Sequence, residues 1–360
     1  MSDSKGCLPP RVPGVRPSAS RPRSRAEQPQ SLNVQSVLPL PPSRPAPDAT
    51  PPTGHAPVVL LNPHAQSGRL GKRRPLIEAC LTRWSPGAEL HVSQSVDHAL
   101  RTIASLDKGR RVLVVGGDGS LNRLLPALLE GGHTLGIVAH GSGNDTARAV
   151  GAPWRDWQAC LKGSLAGPGM RMDLGEARID GEWLPFVSSV TFGFDSVVGT
   201  RAQRSPSWLR GMPRYLLATL AELANLPHWH MQIQVDGREV WSAPTLLAST
   251  LNTPNYGGGI PAVPHARFDD GMLDVLLAPQ LGKAEVLGLL QKMTTGQHLT
   301  DPRIQTHAYR KLRIQSDRLL PVLLDGECRG SSRDLEIRVR PAALEVVGGE
   351  AWASAPVAAL

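Results

Sequence analysis

Two glycine-rich stretches carry the residue types best suited to chemistry. The first reads Val115-Gly116-Gly117-Asp118-Gly119-Ser120-Leu121-Asn122, the second His140-Gly141-Ser142-Gly143-Asn144-Asp145. Each follows a short apolar run and leads into a helical pattern. Glycines at 116, 117 and 119 let the backbone take positive φ and let a ligand approach with no Cβ in the way. Successive N–H groups at a helix mouth then form a nest for an anion. Asp118 can reach a metal or its waters, and Ser120 and Asn122 can donate to phosphate oxygens. Asn144 and Asp145 add an amide and a carboxylate at a helix start, where Asn144 also suits an N-cap. A polyphosphate with a divalent cation needs this mixture; a packed core does not. The first stretch is neither G-x-x-x-x-G-K-[ST] nor G-x-G-x-x-G, so the Walker and Rossmann readings fail. One such loop alone could equally be a tight turn. A second, one strand later, makes that less economical.

The elements around these loops alternate. Pro57 to Asn62 reads as a buried strand, Lys72 to Trp84 as a helix, Glu89 to Ser95 as a strand, and Asp97 to Leu106 as a helix capped by Asp97. Arg111 to Val115 is the next buried strand. Leu121, Leu124, Leu125, Leu128 and Leu129 fall on one helix face. Pro126 must then sit in that helix's first turn or kink it, which places the N-cap near Asn122. Leu135 to Val138 is a strand, and Asn144 to Val150 a short helix stopped by Gly151. Such alternation predicts an α/β domain with a parallel sheet, over 56–170. Parallel sheets bind ligands at the carboxyl ends of their strands, where both loops and Asn62-Pro63-His64-Ala65-Gln66-Ser67-Gly68 lie.

After about residue 170 the pattern changes. Met231, Ile233 and Val235 alternate with polar residues and meet a hairpin signal, Asp236-Gly237. Thr245 to Leu251, Met272 to Leu277, Lys311 to Ile314 and Leu335 to Val339 read as strands, with one helix at 207–226. A mostly antiparallel, β-rich second domain over 171–347 follows, whose last strands either stay there or return to the first. No internal repeat is evident, and 348–360 reads as a flexible tail.

The chain has 360 residues and a formal net charge of +8. Residues 1–55 hold seven Arg/Lys against three Asp/Glu, which is +4 of that total. This Pro/Arg/Ser-rich segment is expected to be a disordered tail. A basic balance suits an anionic partner, either a nucleotide phosphate or an acidic membrane surface. No nucleic-acid motif or aromatic platform is present, so nucleic acid is not expected. Cys7, Cys80, Cys160 and Cys328 stand far apart, which fits a reducing, cytoplasmic setting rather than a zinc site or disulfide framework. No apolar h-region opens the chain and no run approaches 18 apolar residues.

The motifs together resemble the catalytic domain of diacylglycerol kinases, whose relatives include sphingosine kinases and soluble bacterial lipid kinases. The resemblance rests on Asn62-Pro63 with Ser67-Gly68, the Gly-Gly-Asp-Gly-Ser loop and the Gly-Ser-Gly-Asn-Asp loop. It continues through Asn252 with Tyr256-Gly257-Gly258-Gly259, Pro264-His265-Ala266, Asp269-Asp270-Gly271-Met272-Leu273-Asp274 and Leu324-Asp325-Gly326-Glu327. It spans roughly 57–347. It implies ATP-dependent transfer of a γ-phosphoryl group to a lipid hydroxyl, in a cleft between two domains. By motif, the nucleotide contacts would be Asn62, Pro63, Ser67, Gly68, Ser93, Gly116, Gly117, Asp118, Gly119, Ser120, Leu121, Asn122 and Ser142. A structural Mg²⁺ would sit at Asp270 with the backbone carbonyls of Arg267 and Met272, and Glu327 would be the general base. Phosphoryl transfer needs positioning, charge neutralisation and a proton acceptor, so Asp118 and Asp145 would hold the waters of a second Mg²⁺ carried by ATP.

Three positions depart from the family pattern. Ser120 and Ser142 stand where threonine is usual and keep the hydroxyl. His140 replaces a common proline, and Thr146 a common aromatic. The last two bear on substrate choice more than on catalysis. An NAD kinase shares the Gly-Gly-Asp-Gly loop, but Asp325-Gly326-Glu327 and the second loop speak against it. A nucleotide-binding regulator without turnover is the other alternative, and Glu327, Asp118 and Asp145 together argue against that. A lipid kinase with no spanning helix must meet the inner face of the membrane peripherally, with Trp208, Leu209, Arg210 and Arg214 as candidates. A homodimer is left open, as is the choice among diacylglycerol, phosphatidylglycerol and a sphingoid base.

Overall fold

The strands nearest the glycine loops are buried at every position. They are β1 (Val58–Leu61), β3 (Arg111–Gly116) and β4 (Thr134–Ala139), and with β2 (Glu89–Val92) they form a parallel sheet in the order β2-β1-β3-β4. Continuous apolar strands of this kind require helices on both faces. These are α1 (Arg74–Trp84), α2 (Val96–Ala104), α3 (Asp118–Glu130), α4 (Asp145–Ala149) and α5 (Trp157–Ala166). Ile77, Ile103, Leu125, Leu128 and Leu161 join the strand valines in one core. The computed structural model describes residues 55–63, 68, 70–206, 212–226 and 228–349. The basic N-terminal tail, Ser67 and residues 207–211 lie outside them.

Two helix starts differ from those the sequence predicts. Ser95, not Asp97, caps α2: its Oγ accepts the His98 amide at 3.0 Å, and Asp97 stands in the first turn. Helix α3 starts at Asp118 after an extended Gly117, a full turn before Asn122, so Pro126 lies inside it. The buried leucines of α3 offset the hydrogen bond that Pro126 removes. As a consequence the first turn of α3 is the glycine loop itself; the Ser120 and Leu121 amides return to the Gly117 carbonyl at 2.9 and 3.1 Å, and those of Asp118 and Gly119 open at the carboxyl end of β3.

The antiparallel part comprises β5 (Gly169–Ile179), β6 (Glu182–Phe186), β7 (Ser189–Phe192), α6 (Phe194–Gln203), α7 (Met212–Ala224), β8 (Trp229–Val235) and β9 (Arg238–Leu251). It continues through β10 (Leu273–Pro279), α8 (Lys283–Met293), β11 (Gln305–Tyr309), β12 (Lys311–Leu324) and β13 (Glu327–Val347). Helices α5, α6 and α8 are not among the elements predicted above, although α8 is built of strong helix formers with Val286, Leu289 and Met293 on one face. In α6 the run Phe-Asp-Ser-Val-Val-Gly-Thr has weak helix propensity, and packing against β12 overrides it. Asp236 (φ 49°) and Gly237 (φ 82°) make the tight turn between β8 and β9. Strand β13 pairs antiparallel with β12 and β5. At its end it turns parallel to β4, through Glu345 opposite Thr134 and Val346 opposite Leu135. One continuous sheet therefore links the α/β part to the antiparallel part.

A carboxylate lies at the edge of the second core. Asp195, at the start of α6, accepts the Ser249 hydroxyl and the Ser196 amide (2.9 Å), and burial lifts its pKa to about 6 from 3.8. A folded-state pKa above the unfolded value means that ionisation opposes folding. Stability is therefore lost as pH rises through the window from about 4 to 6. Over that window the wild-type chain should lose about 2 kcal/mol more than Asp195→Asn, read from urea unfolding at pH 4 and pH 7. Parallel pH profiles for the two would contradict it.

Candidate active site

The two glycine loops meet backbone to backbone. A Cβ on Gly117 would stand 2.6 Å from the Gly141 Cα, and one on Gly141 would stand 2.7 Å from the Gly117 Cα, so both positions require glycine. Asp118 crosses between them. Its Oδ2 accepts the Asp145 amide and its Oδ1 the Thr146 amide, each at 3.1 Å. The cap of α4 is thus supplied by Asp118. Asn144, at left-handed φ 56°, instead folds its side chain back on Gly141, accepting the Gly141 amide at 2.7 Å. The amides that the second loop offers to an anion are partly filled from within, and the open nest is the first turn of α3. Ser142 stands exposed at the tip of the second loop.

Asp145 faces the other way. It is buried, and its Oδ2 accepts the Gly258 amide at 2.9 Å, tying the second loop to the Tyr256–Ile260 turn. Burial raises its pKa to about 6, against the lowering effect of that amide. Its Oδ1 is buried with no partner among the described residues. The two carboxylates thus differ in their surroundings: Asp118 ties the loops together, and Asp145 keeps one carboxylate oxygen unpartnered.

Asp325-Gly326 forms a two-residue turn between β12 and β13, with φ of 47° and 79°. Asp325 points down from it and takes four hydrogen bonds: from the amides of Val187 (2.9 Å), Ser188 (2.7 Å) and Ser189 (3.0 Å), and from Asn122 Nδ2 (2.8 Å). Asn122 sits on α3, so this carboxylate fastens the first glycine loop to the second domain. Asn122 Oδ1 in turn accepts from Arg329. Asn122, expected at the nucleotide, is therefore committed to Asp325 and Arg329.

Glu327, at the start of β13, lies over the first loop. A Cβ on Gly119 would come 2.7 Å from its Oε1. Its Oε2 pairs with Arg123 at 3.1 Å. Arg123 belongs to no motif, and its one signal in the sequence is its place one helical turn after Gly119.

Beside the loop is a cavity of about 230 Å³. Leu60, Val96, Ala99, Val114 and Leu124 give it apolar walls, and Asn62, Ser93, Ser120 and Arg123 supply polar groups. Asn62 Nδ2 donates to Ser120 Oγ at 3.0 Å, and Ser93 Oγ to the Leu61 carbonyl at 3.2 Å. Gly116 packs on Ser120, and Leu121 is buried beneath the loop rather than facing the cavity. The Pro63 carbonyl accepts the Gly71 amide, and Gly68 holds φ 83° in the same bend.

The acidic turn before β10 stands apart from this cluster. Asp270 Oδ1 accepts the Met272 amide at 3.0 Å, Arg267 pairs with Asp269, and Asp173 accepts the Gly271 and Ala342 amides at 2.6 Å. Burial above all, with neighbouring carboxylates adding to it, raises the pKa of Asp173 and Asp270, and that of Asp274 to about 6. Among the described residues no group of three metal-ligating side chains converges.

On the other side of Glu327, a larger cavity of about 460 Å³ opens between α6, α7 and β12, lined by Thr200, Arg201, Arg204, Glu222 and Pro321. Gln203 of α6 donates to the Gly326 carbonyl, so this cavity abuts the turn that carries Glu327. Tyr215, Leu216, Leu217 and Leu220 of α7 are exposed, the leucines by about half. Arg214 leans over the Tyr215 ring at 5.3 Å. Trp208, Leu209 and Arg210 lie outside the described residues.

Comparison with known proteins agrees with this architecture. Residues 56–177 match the family described as "Diacylglycerol kinase catalytic domain", and 188–348 match "YegS C-terminal NAD kinase beta sandwich-like domain". A diacylglycerol kinase of Mycobacterium tuberculosis is 33% identical over 248 residues, covering 68% of this chain and 79% of that protein. A Pseudomonas fluorescens protein named "Probable lipid kinase YegS-like" is 30% identical over 239 residues, covering 66% of this chain and 76% of its own. A Bacillus anthracis diacylglycerol kinase structure shares the fold, with a TM-score of 0.61 at 18% identity over 82% of this chain and 98% of that one.

Proposed function

Because this chain belongs to the diacylglycerol kinase and YegS-like family of lipid kinases, we propose that it transfers the γ-phosphoryl group of ATP to a lipid hydroxyl. The observation that carries this reading is Glu327 lying directly over Gly119 of the first loop. A carboxylate there has no use in binding a polyphosphate, which it repels. It has a use in taking a proton from an attacking hydroxyl.

The 230 Å³ cavity fits the nucleoside of ATP, and the first turn of α3 fits its phosphates. The acceptor hydroxyl gives its proton to Glu327 as its oxygen bonds to the γ-phosphorus. The bond from that phosphorus to the β,γ-bridging oxygen breaks, and ADP leaves with the electron pair. Magnesium carried with ATP supplies charge neutralisation, and we assign Asp145, with its unpartnered Oδ1, to its hydration shell. Asp118 holds the loops in register. A second, structural Mg²⁺ suits Asp270 with the carbonyls of Arg267 and Met272. The raised pKa values of Asp173, Asp270 and Asp274, set mainly by burial, fit a cation there, since one would favour their ionised forms.

The acceptor would reach Glu327 through the cavity between α6 and α7. The exposed leucines of α7 and the arginines of this cavity suit an acidic bilayer, so we place the enzyme in the cytoplasm, acting at the inner face of the membrane. No helix among the described residues is long and apolar enough to cross one. Diacylglycerol, phosphatidylglycerol and a sphingoid base, each in anionic and in neutral mixed vesicles, test this with labelled ATP. Labelling of one lipid class, faster on anionic vesicles, is expected. Equal rates on both surfaces would remove the electrostatic part, and no labelled lipid would remove the function.

A further inference from the structure

Arg123 spans the two halves of the site. It lines the 230 Å³ cavity, and its guanidinium pairs with Glu327 at 3.1 Å. The pair is half open to solvent, with side-chain exposures of 46% and 34%, so little holds it together. A phosphate group offers a guanidinium two parallel charge-assisted hydrogen bonds and more charge than one carboxylate. A second cation near the turn, Arg329, is directed to Asn122.

We propose that Arg123 is a donor-sensing latch: it masks Glu327 in the free enzyme and releases it by moving to the γ-phosphate of ATP. The proton acceptor is then uncovered only when a phosphoryl group is in place to receive the lipid oxygen. The inference rests on the reading of the cavity as the ATP site. Nothing in the latch requires the domains to move; the long Arg123 side chain turns on a fixed helix.

ATP and ADP binding to the full chain, measured by calorimetry in magnesium buffer, tests it without reference to turnover. Arg123→Met should weaken ATP by about tenfold and ADP by less than about twofold, with Arg123→Lys between, because a lysine keeps charge but not the paired geometry. Glu327→Gln should tighten ATP about threefold in the wild-type background, since Arg123 is no longer held back. That gain should vanish in the Arg123→Met background. Simple repulsion between Glu327 and phosphate predicts the opposite, a gain as large or larger once Arg123 is gone. An undiminished gain, or equal losses of ATP and ADP, overturns the latch while leaving the kinase reading intact. A wild-type chain that binds no ATP overturns both. Unchanged melting temperatures would show that the variants are folded, as the exposure of both side chains predicts.

Discussion

Glu327→Gln is expected to slow lipid phosphorylation by roughly 10²–10⁴-fold, with ATP bound at least as tightly as before. Glutamine keeps the shape and the reach over Gly119 but cannot accept the proton. The fold does not depend on this side chain, which is one-third exposed and makes one surface ion pair, so the urea midpoint should not move. Initial rates with labelled ATP, beside calorimetric ATP titrations, check both halves. Turnover within about threefold of wild type would dismiss Glu327 as the proton acceptor and return the chain to the reading of a nucleotide-binding regulator. Parallel losses of binding and rate would point to a damaged site instead.

Asp325→Ala is expected to cost about 3–5 kcal/mol of stability, although Asp325 stands only two residues from Glu327. The alanine would strand three backbone amides and the Asn122 amide, and it would cut the tie between α3 and the second domain. A lowered urea midpoint with an unchanged slope would show it. Asp334→Ala is the contrast: its pair with Arg313 is close to half exposed on both sides and is worth about 0–1 kcal/mol. If the two variants unfold alike, Asp325 is not the fastening described here. The turn thus divides its work: its first residue, Asp325, fastens α3 to the second domain, and Glu327 just past its far end lies over the first glycine loop.

Much of this site is legible in the amino-acid sequence. Runs such as Arg111-Val112-Leu113-Val114-Val115 followed by glycines announce buried strands ending in a glycine loop, because each signal is local in the chain. What the sequence hides depends on partners far away along it. That Asp118 caps α4, that Asn122 is taken by Asp325, and that Arg123 meets Glu327 are facts of side chains brought together from different elements. The start of α3 is displaced from its expected place for a related reason. Pro126 is a strong local breaker, but the leucine face of α3 is held by a core formed by distant strands. Helix α6 leaves little trace because its composition is poor in helix formers, and β12 and α7 stabilise it. The cavity between α6, α7 and β12 stays dark because walls drawn from three separate elements leave no motif.

The fate of the γ-phosphate decides whether this chain phosphorylates a lipid. The wild-type chain would be incubated with γ-labelled ATP and magnesium, with a lipid acceptor and nicotinamide dinucleotide offered together, and the products separated by solvent extraction. Label is expected in the lipid phase and is lost with Glu327→Gln. Label in the phosphorylated dinucleotide, or only in inorganic phosphate whichever lipid is present, would contradict it.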